Sequence, residues 1–367
     1  MKKEVILLGL AGGLMLGNVS LAKSGEDIDA YIRKELNNPL SINAEIGANK
    51  AKISTETIKS DIDNVDIEIP VIKGLKDGVY QEQLNYIIKR TAEKDLNQFE
   101  KEVEELKKLG IEWKPEMKIG HQIKSEEDIL SFAITTYSYT GGANGMSRRD
   151  YYNIDVKENK TIRLEDLFKE NSDFKAIIND EINRQIKEEM DTGKKTYFEG
   201  DDGFKSIKDD QSFYINENGN LVVAFQLYEI APRSSGHPEF KISGERIVHI
   251  LKNLKPVIIN GKKIKLQNPM FKSEKGTIMM PLAEVAKALG FEVTWDGKNR
   301  VANINKGPIS AGAYIGKDKY YFSKALIYLE EEAKLIKGRT YVPISFIERV
   351  LQGQIIINED NIINIKY

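Results

Sequence analysis

Residues 228–240 read Tyr228-Glu229-Ile230-Ala231-Pro232-Arg233-Ser234-Ser235-Gly236-His237-Pro238-Glu239-Phe240, and they gather the side chains best suited to polar recognition. Two prolines fix φ where they stand and the glycine relaxes it, so the segment is expected to be a shaped loop. A shaped loop held on a sheet and presenting polar side chains suits a contact surface better than a catalytic centre. The competing chemistry is a serine activated by histidine. His237 stands too near Ser234 and Ser235 in sequence to be oriented easily as their base, so nucleophilic catalysis is not expected.

Other chemistries are limited by residue type. The chain has no cysteine and three histidines, His121, His237 and His249. Disulfides, zinc-thiolate sites and thiol nucleophiles are therefore excluded, and the scattered imidazoles predict no metal centre. No cofactor is expected. The carboxylate runs Glu126-Glu127-Asp128, Asp201-Asp202 and Asp209-Asp210 read as solvated surface, and no acid–base pair stands out from so charged a background. Thr140-Gly141-Gly142-Ala143-Asn144-Gly145 is glycine-rich but lacks the Lys-Ser/Thr and the strand–loop–helix context of a phosphate cradle. It reads as a tight connection between two strands, or as a second loop beside residues 228–240.

The elements that must position these loops follow from hydrophobic periodicity. Residues 52–58 and 65–72 alternate at period two and predict strands. Over 78–109, Leu84, Ile87, Ile88, Ala92, Leu96, Phe99, Val103 and Leu106 recur at three- and four-residue steps, which predicts a long helix ended by Gly110. Strands are expected at 113–124, 129–139 and 151–156, a second helix at 172–191, strands near 213–215 and 221–227, and a short helix near 245–252. The expected fold class is α+β, a mainly antiparallel sheet packed with two long helices.

Residues 275–289 return 62 positions on, at 337–351, as Lys-Gly, a short strand, a proline and an amphipathic helix, each followed by a hairpin. Proline fits the first helical turn, where its missing N–H has no intrahelical partner. Asp296-Gly297 predicts the first hairpin turn and Asn358-Glu359-Asp360 the second. This smaller α+β unit of two strand–helix–hairpin repeats is set apart by charge. Residues 23–255 hold 35 Lys plus Arg against 44 Asp plus Glu, a difference of −9, whereas 256–367 hold 17 against 11, a difference of +6. Such a division suggests two kinds of partner, neither of them a nucleic acid.

At the start, Met1-Lys2-Lys3 precedes an apolar run from Val5 to Leu16, then Ser20 and Ala22. The run is shorter than the ~20 residues that span a bilayer, so 1–22 is expected to be a signal peptide cut after Ala22. A flexible lead-in at 23–49, an α+β domain at 50–254 and the repeat domain at 255–367 complete the expected organisation. No membrane attachment is expected after cleavage. An exported, cysteine-free chain points to a secreted or wall-associated protein of a Gram-positive-type bacterium.

Four blocks carry a family resemblance: Ile69-Pro70-Val71-Ile72-Lys73-Gly74-Leu75, residues 139–145, Leu164-Glu165-Asp166-Leu167-Phe168, and the loop 228–240. Together they resemble the extracellular region of RsiV-type anti-sigma factors and the non-catalytic half of PdaC-type peptidoglycan deacetylases. Residues 257–367, with both repeat copies and Val293-Thr294-Trp295-Asp296-Gly297, resemble the domain named for the copper amine oxidase N-terminus, a stalk or surface module. The RsiV resemblance implies a lysozyme receptor whose loop inserts toward the lysozyme cleft, with Ala231, Pro232, Arg233, Ser234, Ser235, Gly236, His237, Pro238 and Glu239 as the candidate ligand-binding residues by position, and Tyr228 and Glu229 beside them. The acidic body would steer a cationic partner of that kind. Neither deacetylase nor amine oxidase catalytic machinery is recognised, so the chain is expected not to be an enzyme. Peptidoglycan or anionic wall polymers are the other expected partners. In the alternative function, a glycan-binding module for wall metabolism, sugar faces would stack on Tyr137, Tyr139, Tyr151, Tyr152 and Tyr228. Deleting 233–237 is expected to abolish binding and barely alter the melting temperature.

Overall fold

In the computed structural model, residues 51–110, 113–252, 257–357 and 362–367 are described. The expected leader 1–22, the lead-in 23–49, the boundary between 254 and 255, and the turn at Asn358-Glu359-Asp360 lie outside the described residues. The alternating segments form β1 (Lys52–Ile58) and β2 (Val65–Lys73), an antiparallel pair. Asp77 then caps α1 (Gly78–Lys108) by accepting the Tyr80 N–H at 3.0 Å, and Gly110 follows the helix at φ 71°. The helix returns the chain to β3 (Glu116–Glu126), which lies parallel to β2, as a helical crossover permits. β3 starts later than expected because Pro115 has no N–H to give a ladder.

β4 (Ile129–Tyr139), β5 (Met146–Asp155) and β6 (Lys160–Thr161) complete a six-stranded sheet in chain order. One face carries Leu130, Phe132, Ile134, Tyr152 and Ile154 against Leu84, Ile88, Phe99 and Val103 of α1. The other face carries Ser131, Ala133, Tyr151 and Asn153 and is covered by a second sheet. β4 is therefore buried on both faces through its middle.

Beyond a 3₁₀ turn at Leu164–Leu167 comes α2 (Phe174–Asp191), and then β7 (Phe213–Ile215), β8 (Leu221–Ala224) and β9 (Glu239–Ile242) in a three-stranded sheet. Leu221 and Val223 face Ile178 and Ile182 of α2, while Val222 and Ala224 meet Ala133 and Tyr151 of the first sheet. The layers run helix, sheet, sheet, helix. Ser131 stitches the sheets: its hydroxyl donates to Asn153 Oδ1 at 2.7 Å and accepts the Ile215 N–H, while Asn153 Nδ2 donates to the Phe213 carbonyl. β8 ends at Ala224 rather than 227, because Gln226 leaves the ladder to pair with the backbone of Arg149 on β5. The expected helix near 245–252 is shorter, α3 (Gly244–Ile247).

The repeat region contains β10 (Val257–Ile259), β11 (Lys262–Ile264), β12 (Phe271–Lys272), β13 (Ile278–Pro281), α4 (Leu282–Ala288), β14 (Glu292–Asp296), β15 (Val301–Lys306), β16 (Ile309–Tyr314), β17 (Tyr320–Phe322), β18 (Ala325–Ile327), β19 (Lys334–Ile336), β20 (Arg339–Pro343), α5 (Phe346–Arg349), β21 (Gln354–Ile357) and β22 (Ile363–Lys366). Strand β13 of the first copy pairs antiparallel with strand β20 of the second, Met279 with Pro343, Met280 with Val342 and Pro281 with Tyr341. Because the copies are offset by 62, each residue faces its own counterpart reflected about Met280 and Val342. The repeat thus closes as an internal pseudo-dyad around one core.

Two local expectations change. The helix of the second copy has four residues, since Ile344, Ile347 and Val350 are poorer helix formers than the Leu-Ala-Glu-Val-Ala-Lys-Ala of the first. The first hairpin is not a two-residue Asp-Gly turn: Asp296 pairs with Val301, the loop holds residues 297–300, and the positive φ falls on Arg300. The Asp296 carboxylate, accepting from the N–H and side-chain amide of Asn299, favours that wider turn. The repeat region meets the rest of the chain through a cluster of Val248, Phe271, Met279 and Tyr341, and through the Lys334–Glu245 ion pair.

Candidate binding surface

The loop leaves β8 at Phe225, whose N–H bonds the Pro238 carbonyl at 2.9 Å, so its two ends are held together. Ile230, Ala231 and Phe240 sit in the core beneath, with Ala231 at 0% exposure, and Pro238 is buried. Residues Arg233–Ser235 form a 3₁₀ turn ended by Gly236 at φ 68° and ψ −144°, a conformation reserved for glycine. The shape expected from proline and glycine is present, and apolar residues pin it down.

Most of the polar side chains turn back onto the protein rather than outward. Arg233 Nη1 donates to the Gly145 carbonyl at 2.5 Å, which joins this loop to the glycine-rich loop. Ser235 brackets Thr196, accepting its N–H at 3.1 Å and donating to its carbonyl at 2.6 Å. His237 Nε2 lies 3.2 Å from Ser147 Oγ, and it is not paired with Ser234 or Ser235. Glu229 accepts from the Gln226 N–H at 2.7 Å and from Lys208 Nζ at 2.5 Å. Pro232 and Gly236 are half-buried. The residues left facing solvent are Ser234 and Tyr228, the latter 45% exposed and at φ 65°. Removing 233–237 would break the ties to Gly145 and Thr196, so the melting temperature is expected to fall with that deletion.

The glycine-rich loop is the hairpin connection between β4 and β5. Thr140 and Gly141 are half-buried, and Gly142, Ala143 and Asn144 are exposed. β5 begins five residues earlier than 151, because the polar run Ser147-Arg148-Arg149-Asp150 still pairs with β4. Tyr139 donates to the Gly142 carbonyl at 2.9 Å, and a Cβ at Gly145 would lie 2.5 Å from the Tyr137 ring. Gly145→Ala is therefore expected to cost about 1–3 kcal/mol in urea unfolding, as overpacking does. Adding Tyr137→Ala should recover most of that loss.

Under both loops lies a polar seam that the sequence did not announce. Glu239 accepts from Arg149 Nη1 at 2.9 Å, Tyr151 OH at 3.1 Å and Tyr214 OH at 2.9 Å. The two tyrosine rings stack at 5.6 Å, and Lys124 Nζ lies 4.5 Å above the Tyr214 ring. Burial pushes the Lys124 pKa down, opposed by Glu239. Burial, reinforced by Arg149, also lowers the His237 pKa from 6.5, against Glu239 and the Phe225 backbone. A histidine kept neutral by the fold contributes stability above its unfolded value, and that stability is lost as pH falls through the folded value. Unfolding free energy should therefore drop on acidification below 6.5, and His237→Gln should flatten the drop in urea melts at successive pH values.

The expected sugar-stacking tyrosines are only partly available. Tyr151 and Tyr152 are 8% and 9% exposed, Tyr152 being stacked on Phe132 at 4.9 Å. Among the described residues, no group of three or more His, Cys, Asp or Glu is arranged to hold a metal ion, and no helix is long and apolar enough to cross a membrane.

Three families match separate stretches: Deacetylase PdaC over 56–147, Protein of unknown function (DUF3298) over 165–245, and Copper amine oxidase N-terminal domain over 258–365. The first covers most of the six-stranded sheet with α1, the second the three-stranded sheet with α2, and the third the repeat. A protease inhibitor of Brevibacillus choshinensis is 38% identical over 104 residues, 28% of this chain and 32% of that protein. Anti-sigma-V factor RsiV of Bacillus subtilis is 29% identical over 205 residues, 53% of this chain and 67% of that protein. The peptidoglycan-N-acetylmuramic acid deacetylase PdaC of the same bacterium is 23% identical over 208 residues, 56% of this chain and 43% of that protein. The chain thus resembles RsiV and PdaC, carries a copper-amine-oxidase-N-terminal-like region, and is supported by these relatives as a cell-envelope-related extracellular protein.

Proposed function

We propose that this chain is an exported, non-catalytic binding protein of the cell envelope, with 50–254 as its recognition domain and 255–367 as a wall-associated stalk. The loop 228–240 and the neighbouring loop 140–145 form the recognition surface, and the partner is lysozyme. The observation that carries this reading is the Arg233–Gly145 bond: it joins two loops separated by 88 positions and leaves Tyr228 outward on a strained backbone. Stored backbone strain concentrates at sites of function. The acidic balance of 23–255 adds a long-range attraction for a cationic protein, which acts mainly on the association rate.

Titrating the chain lacking 1–22 with a c-type lysozyme at moderate salt tests the reading. Binding that weakens as salt rises is expected. An absence of binding up to tens of micromolar, on the order of 6–7 kcal/mol of affinity, would sink it.

A further inference from the structure

Strand register places Thr294, Asn303, Gly312, Tyr321 and Leu326 side by side across all five strands β14 to β18. Ile304, Ala311, Phe322 and Ile327 point into or against the core of the repeat region, so this row occupies the opposite face. A Cβ at Gly312 would lie 2.6 Å from the Tyr321 ring and 2.5 Å from the Ala302 carbonyl oxygen, so the ring rests on bare backbone. Tyr321 OH donates to Asn303 Oδ1 at 2.7 Å, and Tyr314 meets the ring edge-on, 6.3 Å between centroids. Three contacts fix the tyrosine in place, which lowers the entropy a ligand must remove.

The row itself carries no formal charge, but one end of the face is cationic. The turns at 297–300 and 316–319 adjoin through the Ile315 N–H to Arg300 carbonyl bond at 2.9 Å and bring Lys298, Arg300, Lys317 and Lys319 together. Lys319 Nζ lies 4.6 Å above the Tyr314 ring. The carboxylates of those turns are already engaged in hydrogen bonds: Asp296 accepts from Asn299, and Asp318 from the N–H groups of Leu329 and Glu330. A fixed aromatic face among amides and hydroxyls, bordered by four cations, complements a ligand with a C–H face, hydrogen-bonding substituents and negative charge. The edge of such a face is electropositive and the tyrosine ring face electronegative, which favours stacking.

We propose that this face binds an anionic glycan strand, one sugar ring stacked on Tyr321, its amide or hydroxyl groups meeting Asn303 and Thr294, and its carboxylates meeting Lys319 and Arg300. The row crosses four strand spacings, ~19 Å, enough for several sugar rings. The proposal names the surface by which the repeat region would hold wall material and rests on that half of the proposed function.

The test titrates the full chain, by calorimetry and by chemical-shift mapping, with peptide-free glycan strands prepared from peptidoglycan, and with polyglutamate as a sugar-free polyanion. Pelleting with intact peptidoglycan is measured alongside. Glycan binding is expected, weakened about tenfold or more by Tyr321→Ala and less than about threefold by Tyr321→Phe, with Lys319→Gln reducing its salt dependence. Should Tyr321→Ala fail to fold, Lys319→Gln and shift changes at residues 303 and 321 give the same readout. Polyglutamate binding as tightly as glycan, wild-type affinity in Tyr321→Ala, or no glycan binding would each overturn the proposal. If Tyr321→Ala still pellets with peptidoglycan like the parent chain, wall association survives and this site fails; if the parent does not pellet, both fail.

Discussion

Glu239→Ala is expected to destabilise the protein by about 2–3 kcal/mol, measured as a lower urea midpoint at pH 7.5. The carboxylate holds three donors at once, Arg149, Tyr151 and Tyr214, at the junction of the two sheets. Removing it strands two buried phenol hydroxyls and leaves the Arg149 guanidinium, whose Nε already has no partner, beside the Lys124 ammonium. Breaking a fully buried ion pair costs about 3–5 kcal/mol. Glu239 and Arg149 keep 26% and 34% of their side-chain surface, so solvent screening brings the figure down. Glu239→Gln keeps one acceptor oxygen for Arg149 and Tyr151 but sets an NH2 donor where Oε2 accepts the Tyr214 hydroxyl, which can rotate to accept from it, and should cost roughly half as much. A loss below about 0.5 kcal/mol for the alanine variant would show that the seam is not held through Glu239.

Tyr228→Ala and Tyr228→Gly separate contact from strain. Both truncations should weaken lysozyme binding by about 2 kcal/mol or more, roughly thirtyfold, because an exposed tyrosine on a rigid loop has the character of an interface anchor. Their effects on stability should differ. A non-glycine residue at φ 65° pays about 1–2 kcal/mol for the left-handed conformation. Glycine removes that cost but gives back about 0.5–1 kcal/mol through the greater freedom of the unfolded chain. Tyr228→Gly is therefore expected to stabilise the fold by up to about 1 kcal/mol while losing binding, and Tyr228→Ala to leave stability nearly unchanged. Undiminished binding in both variants would remove Tyr228 from the contact surface. A clear destabilisation by glycine would mean that the ring packs structurally.

Long elements were legible because each one's periodicity is contained in a short window. Helix α1 starts at the expected Gly78 and stops before Gly110, within one residue of its expected end, and β4 matches its expected bounds. The start of β5 was not legible. The strand expected at 151–156 left Arg148 and Arg149 outside it, yet Arg148 bonds Asp95 on α1 at 2.6 Å and Arg149 bonds Glu239 on β9. Those partners lie 53 and 90 positions away, and no local pattern encodes them. The burial of Tyr151 has the same origin: alternation says that a strand residue faces one side, but not whether a second sheet covers that side. The repeat was visible as an offset of 62, whereas the pairing of its two copies with each other belongs to the closed structure.

The sequence by itself determined the character of the 228–240 loop: prolines and a glycine restrict its backbone, and the absence of cysteine removes thiol and disulfide chemistry from it. Backbone dihedral preferences and residue chemistry are local, so they survive in a linear reading. Only the tertiary structure decided which side chains the loop spends on itself and which it presents. Burial brings distant segments together, and each desolvated polar group must then find its partner among whatever the fold has placed nearby. Arg233, Ser235, His237 and Glu239 found theirs inside the protein, and Tyr228 remained outside.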